Sequence, residues 1–183
     1  MDERSITAAD VRDDALRTLY QSAFPVEEQI PWDDLMRLVE AMPLDFMAFY
    51  EDETLQGLFI VYPRHSFNWF WYFAVPEALR GRGIGQRILS QVIDKYKGAT
   101  NILDMESPAQ VSDNRVQRLR RHAFYQRNGF HDTGVGRSFA GIDYTIMMSG
   151  PGTFTMHDYE TILSELRSFW SAMPKASEDA TNS

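Results

Sequence analysis

A nine-residue aromatic run, Phe67–Val75 (FNWFWYFAV), is the feature that most restricts what this chain can fold into. Its residue types favour a β-strand, and Pro76 ends it because proline cannot continue the hydrogen bonds of a strand. Three glycines follow at alternate positions in Gly81–Gly85, and helical spacing of apolar residues then continues to Tyr96. The segment therefore predicts a buried strand that passes through a glycine-rich turn into a helix.

The rest of the chain alternates between segments whose apolar residues have helical spacing and short apolar runs typical of strands. Apolar residues at helical spacing predict helices over residues 7–20, 31–42, 83–96 and 112–128. Short apolar runs predict strands over residues 45–50, 58–62, 67–75, 101–105, 130–139 and 142–149. Strands alternate with helices in the middle, and antiparallel hairpins flank them at both ends. This order predicts an α/β (α+β) layer architecture around a mixed sheet.

The C-terminal part reads as an extension of a single domain that covers residues 1–150. Six apolar residues recur at helical spacing in residues 151–173, after a Thr155 suited to cap a helix: Tyr159, Ile162, Leu163, Leu166, Phe169 and Trp170. Such a stripe has to be buried, on its own domain or on a partner subunit of a homodimer. Residues 174–183 are small and polar, and we expect them to be disordered.

Charge and cysteine content exclude several classes of protein. The 183 residues carry a formal charge of −8, which disfavours general binding to nucleic acid or to an anionic membrane surface. No cysteine is present, so disulfides, thiolate nucleophiles and cysteine-bound zinc are excluded. The N-terminal MDERS does not resemble a signal peptide, and no apolar run approaches the ~20 residues that cross a bilayer. We expect a soluble, cytoplasmic protein.

The glycine-rich turn has the character of an anion-binding site. Glycines allow close approach of the backbone, and the helix N-terminus presents unpaired N–H groups with partial positive charge. Arg80, Arg82 and Arg87 cluster there with no acid among them. The dinucleotide pattern G-x-G-x-x-G fails at Gln86, and the phosphate-binding loop G-x-x-x-x-G-K-S/T is absent from the sequence. A different phosphate-bearing ligand is therefore indicated.

Two motifs resemble one known family. Arg80-x-x-Gly83-x-Gly85 is similar to the Q/R-x-x-G-x-G/A acyl-CoA motif of the GNAT superfamily of N-acyltransferases, in the same strand–turn–helix context. Downstream, Phe124-Tyr125-Gln126-Arg127-Asn128-Gly129-Phe130 resembles the family's F/L-Y-x-x-x-G-F at the end of a helix. The resemblance extends from Ile6 to Ser149.

The resemblance implies a fold and a reaction. It implies a mostly antiparallel central sheet with helices on both faces, to which the C-terminal helix is an addition. It also implies transfer of an acetyl group from acetyl-CoA, as co-substrate, to a primary amine by direct attack in a ternary complex. The acceptor is a small molecule or a peptide amine. A non-catalytic acyl-CoA-binding or regulatory module stays open as the alternative.

The resemblance also assigns residues to the cofactor. In the family the backbone of the turn holds the CoA pyrophosphate and the preceding strand pairs with the pantetheine arm. Carried over, these roles fall on Phe73, Ala74, Val75, Arg80, Gly81, Arg82, Gly83, Ile84 and Gly85. Many members have an asparagine seven residues before the helix tyrosine, whereas this chain has Arg118. Arg118 is therefore a candidate for a CoA phosphate or carbonyl, or else a solvated arginine.

Two residues are candidates for catalysis. Tyr125 is a candidate general acid, because a phenol with a pKa of ~10 keeps its proton at neutral pH, where a thiol of pKa ~8.5 is the leaving group, and can donate to the leaving sulfur. Glu106, at the end of the strand over residues 101–105, is a candidate general base or substrate-orienting carboxylate, with Asp104 as second choice. Glu27 and Glu28 lie in a loop suited to attract a cationic amine. The four histidines lack metal-ligand spacing, so no metal is expected.

A further alternative rests on the arginines of residues 115–127. They could contact RNA, but the acidic charge of the whole chain argues against nucleic acid as a partner.

Overall fold

The computed structural model describes residues 1–172. Seven strands form one sheet in the order β1-β2-β3-β4-β5-β7-β6. The strands are β1 (Asp2–Ser5), β2 (Asp45–Glu51), β3 (Thr54–Pro63), β4 (Asn68–Ala74), β5 (Asn101–Glu106), β6 (His131–Phe139) and β7 (Ile142–Ser149). The helices are α1 (Asp14–Ala23), α2 (Trp32–Ala41), α3 (Ile84–Lys95), α4 (Arg115–Arg127) and α5 (Met156–Ala172).

The predicted fold class is confirmed. All neighbouring strands pair antiparallel except β4 and β5, which are parallel because α3 carries the chain across between them. β1 was not predicted; its polar residues carry no apolar alternation, and it forms by pairing with β2 at the edge of the sheet. Residues 7–13 are not part of the first helix. They form a 3-10 turn, and α1 begins only at Asp14.

Helices cover both faces of the sheet. On one face α1 and α2 bury Leu16, Tyr20 and Leu35 against the first strands, and α5 buries Tyr159 and Ile162 against β5 and β7. On the other face α3 and α4 cover a second apolar layer, whose members include Ile88, Leu89, Val92, Leu103, Phe130 and Met147. The cleft described below opens within the sheet, between β4 and β5.

Local side-chain chemistry sets where elements begin. Asp13 caps α1 by accepting from the N–H groups of Ala15 and Leu16. Pro31 is the N-cap of α2 rather than its first residue. Asp52 and Glu53, with φ of +49° and +58°, form a two-residue hairpin turn. β3 therefore starts at Thr54, earlier than the apolar run at 58–62 predicts.

The C-terminal helix is attached to this chain's own sheet. Thr155 caps α5 as expected, through reciprocal hydrogen bonds with Asp158. Further along, Glu165 accepts two hydrogen bonds from the guanidinium of Arg64 and one from the Tyr62 hydroxyl. The predicted disordered segment 174–183 lies outside the described residues. Within residues 1–172, no helix combines the length and the apolar character needed to span a membrane.

Candidate functional site

The two central strands of the sheet separate shortly after they begin. β4 and β5 pair only at Asn68 with Asn101 and at Trp69 with Ile102. The Asn68 side-chain amide donates to Asn101 Oδ1 over 2.9 Å, and both residues are buried. Beyond this point the strands no longer pair with each other, so a cleft opens between their C-terminal halves. The edge of β4 that lines it can hydrogen-bond an extended ligand, as an open strand edge does.

The glycine-rich turn lies at the wide end of this cleft, where β4 ends. Gly81 and Gly83 have φ of +74° and +79°, in the left-handed region. A Cβ at either position would meet no atom within 4 Å, so backbone conformation rather than space requires glycine. Gly83 is the N-cap of α3, and no side chain of the described residues caps that end. The first N–H groups of α3 are thus available to an anion.

The arginines of the turn differ in their partners. Arg80 donates from Nε to the carbonyl of Val75 over 3.3 Å, which leaves the rest of its guanidinium exposed. Arg82 is exposed and forms no ion pair among residues 1–172. Arg87 pairs with Glu51 at 2.8 Å on the surface, so its charge is directed away from the turn. Two of the three arginines therefore remain for an anionic ligand.

Helices α3 and α4 meet beside the turn. Gln86 and Asn128 exchange reciprocal side-chain amide hydrogen bonds, the one donated by Asn128 measuring 3.1 Å. Phe73, from the end of β4, stacks on Phe59 with ring centroids 4.8 Å apart and faces Phe124 of α4 at 6.5 Å. These contacts bring the C-terminal end of α4 to the cleft.

Tyr125 is placed in the cleft by those contacts. Its half-buried ring packs edge-on against Phe124 and Phe130 at centroid distances of 5.3 and 5.8 Å. Its hydroxyl has no hydrogen-bond partner among residues 1–172. The pKa of Tyr125 is raised to about 12, mainly by burial; the charge of Arg121 opposes the rise and that of Asp104 adds to it. The phenol therefore stays protonated at physiological pH.

Glu106 and Arg118 form a buried ion pair. Arg118 Nη2 lies 3.1 Å from Glu106 Oε1, and the two side chains are only 5% and 8% exposed. Asn114 donates to the other carboxylate oxygen over 3.2 Å. Arg118 also donates to Ser107 O and to Gln110 Oε1. The sequence predicts that Arg118 contacts CoA or is solvated. In the structure protein groups surround its guanidinium, so it is not solvated and little of it is accessible to a ligand.

Asp104 lies one strand repeat before Glu106 on β5. Its Oδ1 accepts from Trp69 Nε1 at 3.1 Å, and its Oδ2 accepts from Arg137 Nη2 at 3.0 Å. Its carboxylate raises the pKa of Tyr125 on the α3–α4 side of the cleft and of Tyr159 on the α5 side. Asp104 follows Ile102, the last residue of β5 that pairs with β4, by two positions, so it borders the cleft.

A group of polar residues surrounds Asp104 on the face of α1, α2 and α5. We call it the polar cluster: Glu28, Asp104, Arg137, Tyr144 and Tyr159. The guanidinium carbon of Arg137 lies 4.2 Å from the centroid of the Tyr144 ring and 5.7 Å from that of Tyr159. The Tyr144 hydroxyl donates to Glu28 Oε1 over 2.5 Å. Five separate segments of the chain meet in this cluster.

An irregularity in β4 turns its aromatic side chains toward the polar cluster. Ile60 pairs with Tyr72 and Val61 with Phe70, so Trp71 is an extra, bulged residue. The rings of Trp69 and Trp71 stack at 4.7 Å, and those of Trp71 and Tyr72 at 5.1 Å. The Tyr72 hydroxyl donates to the carbonyl of Glu28 over 2.7 Å. The stack forms one wall beside the cluster.

The structure brings together most residues that the sequence singled out. The turn, the end of β4 and Tyr125 line one cleft, while Glu106 and Arg118 pair at its margin. Arg137, Tyr144 and Tyr159 were missed. The alternation of the β6–β7 hairpin, with its turn at Ala140 and Gly141, pairs Arg137 with Tyr144. No sequence pattern links that hairpin to Asp104 or to α5.

Residues 1–172 contain no group of three or more histidine, aspartate or glutamate side chains arranged to hold a metal ion.

The family match agrees with this geometry. The family model described as "Acetyltransferase (GNAT) domain" matches residues 44–132, from the start of β2 to β6, which includes the turn, Glu106 and Tyr125. A search of curated protein sequences finds no match.

Solved structures share the fold. A GNAT-family protein from Bacteroides thetaiotaomicron superimposes with a TM-score of 0.75 at 22% identity, over 95% of this chain and 100% of its own. The ribosomal-protein-S18-alanine N-acetyltransferase from Escherichia coli gives a TM-score of 0.59 at 16% identity, over 84% and 95%.

An aminoglycoside 6'-N-acetyltransferase complexed with coenzyme A gives a TM-score of 0.64 at 16% identity, over 81% and 96%. At these identities the likeness shows the fold alone. The family match assigns residues 44–132 to the GNAT acetyltransferase domain family, and the fold of the described residues is shared with proteins of that family.

Proposed function

We propose that this protein transfers an acetyl group from acetyl-CoA to a primary amine by direct attack in a ternary complex. The observation that carries the proposal is the cleft between β4 and β5, with an uncapped helix end at its mouth and the Tyr125 hydroxyl inside it. One relative of the same fold is complexed with coenzyme A, which supports the choice of cofactor.

The cofactor would be held mainly by main-chain groups. The N–H groups of residues 80–85 would bind the pyrophosphate, with Arg80 and Arg82 adding positive charge. The edge of β4 at Phe73–Val75 would pair with the amides of the pantetheine arm, as an added strand does. This arrangement would direct the thioester along the cleft toward Tyr125.

Tyr125 would act as the general acid. Because burial raises its pKa to about 12, it carries its proton at any working pH. That value lies above the ~8.5 of the thiol, so transfer to a free thiolate is unfavourable, and the phenol would instead donate to sulfur while the C–S bond breaks. General acid help is typically ~10²–10⁴-fold, and holding two reactants in position contributes ~7–11 kcal/mol. Positioning would therefore be the larger contribution.

Glu106 fits a positioning role better than that of a base. Its carboxylate already accepts from Arg118 and Asn114 and is almost inaccessible. The pair joins the end of β5 to the start of α4, and α4 carries Tyr125. We therefore assign Glu106 and Arg118 to holding the acid in place, with the acceptor amine losing its proton to water or to another carboxylate.

The proposal is tested by mixing the protein and acetyl-CoA with a panel of primary amines and measuring CoA release. The panel contains simple amines, amino acids, polyamines, aminoglycosides and short peptides with a free N-terminus. We expect release that depends on the amine, with no acetylated protein in the intact mass. Acetyl-CoA binding without release for any amine would favour the non-catalytic module, and absence of binding would overturn the proposal.

A further inference from the structure

Arg137 has hydrogen-bond donors that the protein does not use. Of its five N–H groups, only one on Nη2 has an acceptor, Asp104 Oδ2 at 3.0 Å. Nε is buried and has no partner, and Nη1 has none among residues 1–172. The Arg137 side chain is 27% exposed, so its unpaired Nη hydrogens can meet solvent or a ligand, and only Nε is buried without an acceptor, as Nε of Arg118 also is. A ligand with two acceptor oxygens can use the unpaired Nη hydrogens.

The guanidinium is held in a fixed position. It lies over the Tyr144 ring at 4.2 Å and near the Tyr159 ring at 5.7 Å. Tyr144 is fixed in turn through its hydroxyl to Glu28, and Tyr159 is fixed by the packing of α5. The side chain of Arg137 is 27% exposed, so a ligand can still reach it. Rings on two elements thus orient a fork of donors that remains accessible.

Charges alternate along this part of the cleft. Asp104 lies on β5 two residues past Ile102, where the pairing with β4 ends, so it borders the cleft, and it pairs with Arg137. An acceptor amine poised to attack near Tyr125 would lie beside the negative charge of Asp104. A negative group on the acceptor would then lie next to Arg137, the ion-pair partner of Asp104. This spacing suits a molecule whose amine and anion are close together.

We propose that Arg137 binds the carboxylate of the acceptor and that the acceptor is a free α-amino acid. The inference rests on the proposed acetyl transfer and narrows its substrate class. Planar guanidinium forks match carboxylates bidentately, which a lysine cannot do. Tyr159 comes from α5, outside the matched segment 44–132, so the C-terminal helix contributes to this selectivity. Amines that lack a carboxylate leave the donors of Arg137 unpaired and are poorer acceptors.

The experiment compares matched trios of acceptors on the wild-type protein. Each trio contains an amino acid, its carboxamide and its decarboxylated amine, such as leucine, leucinamide and 3-methylbutylamine. We expect kcat/KM to be about 10- to 100-fold higher for the amino acid, as for a hydrogen-bonded charge pair. An α-amino group beside an amide has a pKa of ~7.7–8.0, against ~10.4 for an alkylamine, so nucleophile protonation does not favour the acid over its amide.

Variants locate the effect. Arg137→Gln should raise KM for the amino acid by about 10- to 100-fold, leave KM for acetyl-CoA unchanged and remove the preference within each trio. Arg137→Lys, which keeps a charge beside Asp104, should lose most of the preference while remaining folded. The control is Arg4→Gln: Arg4 also pairs with a carboxylate, that of Glu53, at 2.6 Å and lies over a tyrosine ring at 4.1 Å, but on the surface. It should leave both KM values unchanged.

A binding readout separates this inference from the proposed reaction. With CoA present, the amino acid should raise the melting temperature of the wild type, and Arg137→Lys should reduce that shift. Turnover that favours the plain amine would overturn the inference and leave the acetyl transfer standing. Equal turnover of acid and carboxamide would replace the free amino acid by a peptide N-terminus. Absence of both turnover and an amino-acid-dependent shift in melting temperature would overturn the inference. A separate measurement of acetyl-CoA binding would then decide whether the proposed cofactor site stands.

Discussion

The two sides of the cleft are built from different parts of the chain. The side of α3 and α4 uses consecutive residues, from the end of β4 through Gly81 and Gly83 into α3, and it offers main-chain groups. The side of α1, α2 and α5 uses the polar cluster, whose five side chains come from five segments. The side of α3 and α4 is exposed, whereas the side of α1, α2 and α5 contains charged side chains that are ion-paired and partly buried.

The two sides differ in the kind of substitution that disrupts them. A main-chain site depends on a few backbone angles, so a residue that cannot adopt a positive φ is enough to disturb it. A side-chain cluster depends on tertiary packing, so the loss of one partner leaves another buried group without a counterpart. Substitutions on the two sides should therefore separate cofactor binding from acceptor binding and stability.

The largest effect is expected at Tyr125, where the two sides meet. Tyr125→Phe should lower kcat by about 10²- to 10⁴-fold at unchanged acetyl-CoA affinity, since it keeps the packed ring and removes the proton donor. Steady-state kinetics and a melting curve measure the two effects separately. Because its pKa is about 12, the wild-type rate should show no loss from Tyr125 ionisation below pH ~11.

An unchanged kcat in Tyr125→Phe would reduce the residue to a packing role. It would also leave the cleft without an identified acid.

Glu106→Gln should mainly cost stability. Removing one partner of a buried ion pair typically costs ~3–5 kcal/mol, because the Arg118 charge is left uncompensated. Denaturant unfolding measures this loss, and the double variant Glu106→Gln/Arg118→Gln should recover part of it. The pH profile of kcat/KM should keep its wild-type shape. A profile that instead climbs toward the ~10.4 of a lysine-like amine would make Glu106 the base.

Two glycines allow a matched test of the turn. Gly83 and Gly98 lie at opposite ends of α3, with φ of +79° and +86°, and an added Cβ meets no atom within 4 Å at either. Valine at each should therefore impose a similar backbone strain, of ~1–2 kcal/mol or more. Acetyl-CoA at 100 times its Kd stabilises by ~2.7 kcal/mol. Only Gly83→Val should lose the corresponding rise in melting temperature.

The same loss in Gly98→Val would mean that strain in α3, and not the turn, weakens the cofactor. A normal rise in Gly83→Val would place the pyrophosphate elsewhere.

The smallest effect concerns the attachment of α5. The hydrogen bonds from Arg64 lower the pKa of Glu165, with a smaller contribution from Tyr62 against the opposing effect of burial. A lowered folded-state pKa stabilises above the unfolded value of ~4.3, and the stabilisation is lost as the pH falls through the lowered value. Glu165→Gln should cost about 1 kcal/mol or less at pH 7, since the pair is partly exposed, and nothing in strong acid.

Glu160→Gln, on an exposed part of α5, is the control and should show no such pH dependence. A cost for Glu165→Gln that persists in strong acid would point to packing and not to charge.

The sequence predicted the side that is continuous along the chain. Spacing and glycine chemistry are local properties, and they located β4, the turn and α3 within a residue or two. In the C-terminal stripe Tyr159 and Ile162 are buried and Thr155 caps the helix as predicted, whereas Trp170 is 46% exposed. In each case the residues that form the feature are close together in the sequence, so their spacing predicts it.

The polar cluster was not predicted because its pairs are distant. Tyr144 and Glu28 are 116 residues apart, and Arg137 and Asp104 are 33 apart. The position of Arg118 in a motif predicts that it contacts the cofactor. Its partner Glu106 lies 12 residues earlier, at the end of another element, and helical spacing carries no information about that contact.

The short junction between β4 and β5 has a mechanical consequence. Two antiparallel half-sheets, β1–β4 and β5–β7, are joined at two residue pairs, with side-chain hydrogen bonds from Asn68 to Asn101, both buried, and from Trp69 to Asp104. An amide pair has one good register, so it prevents sliding while it permits rotation about that point. The width of the cleft is therefore governed by how the helices pack on the two half-sheets. Substitutions in those helix layers, far from any ligand, should alter the length of acyl chain that the cleft accommodates.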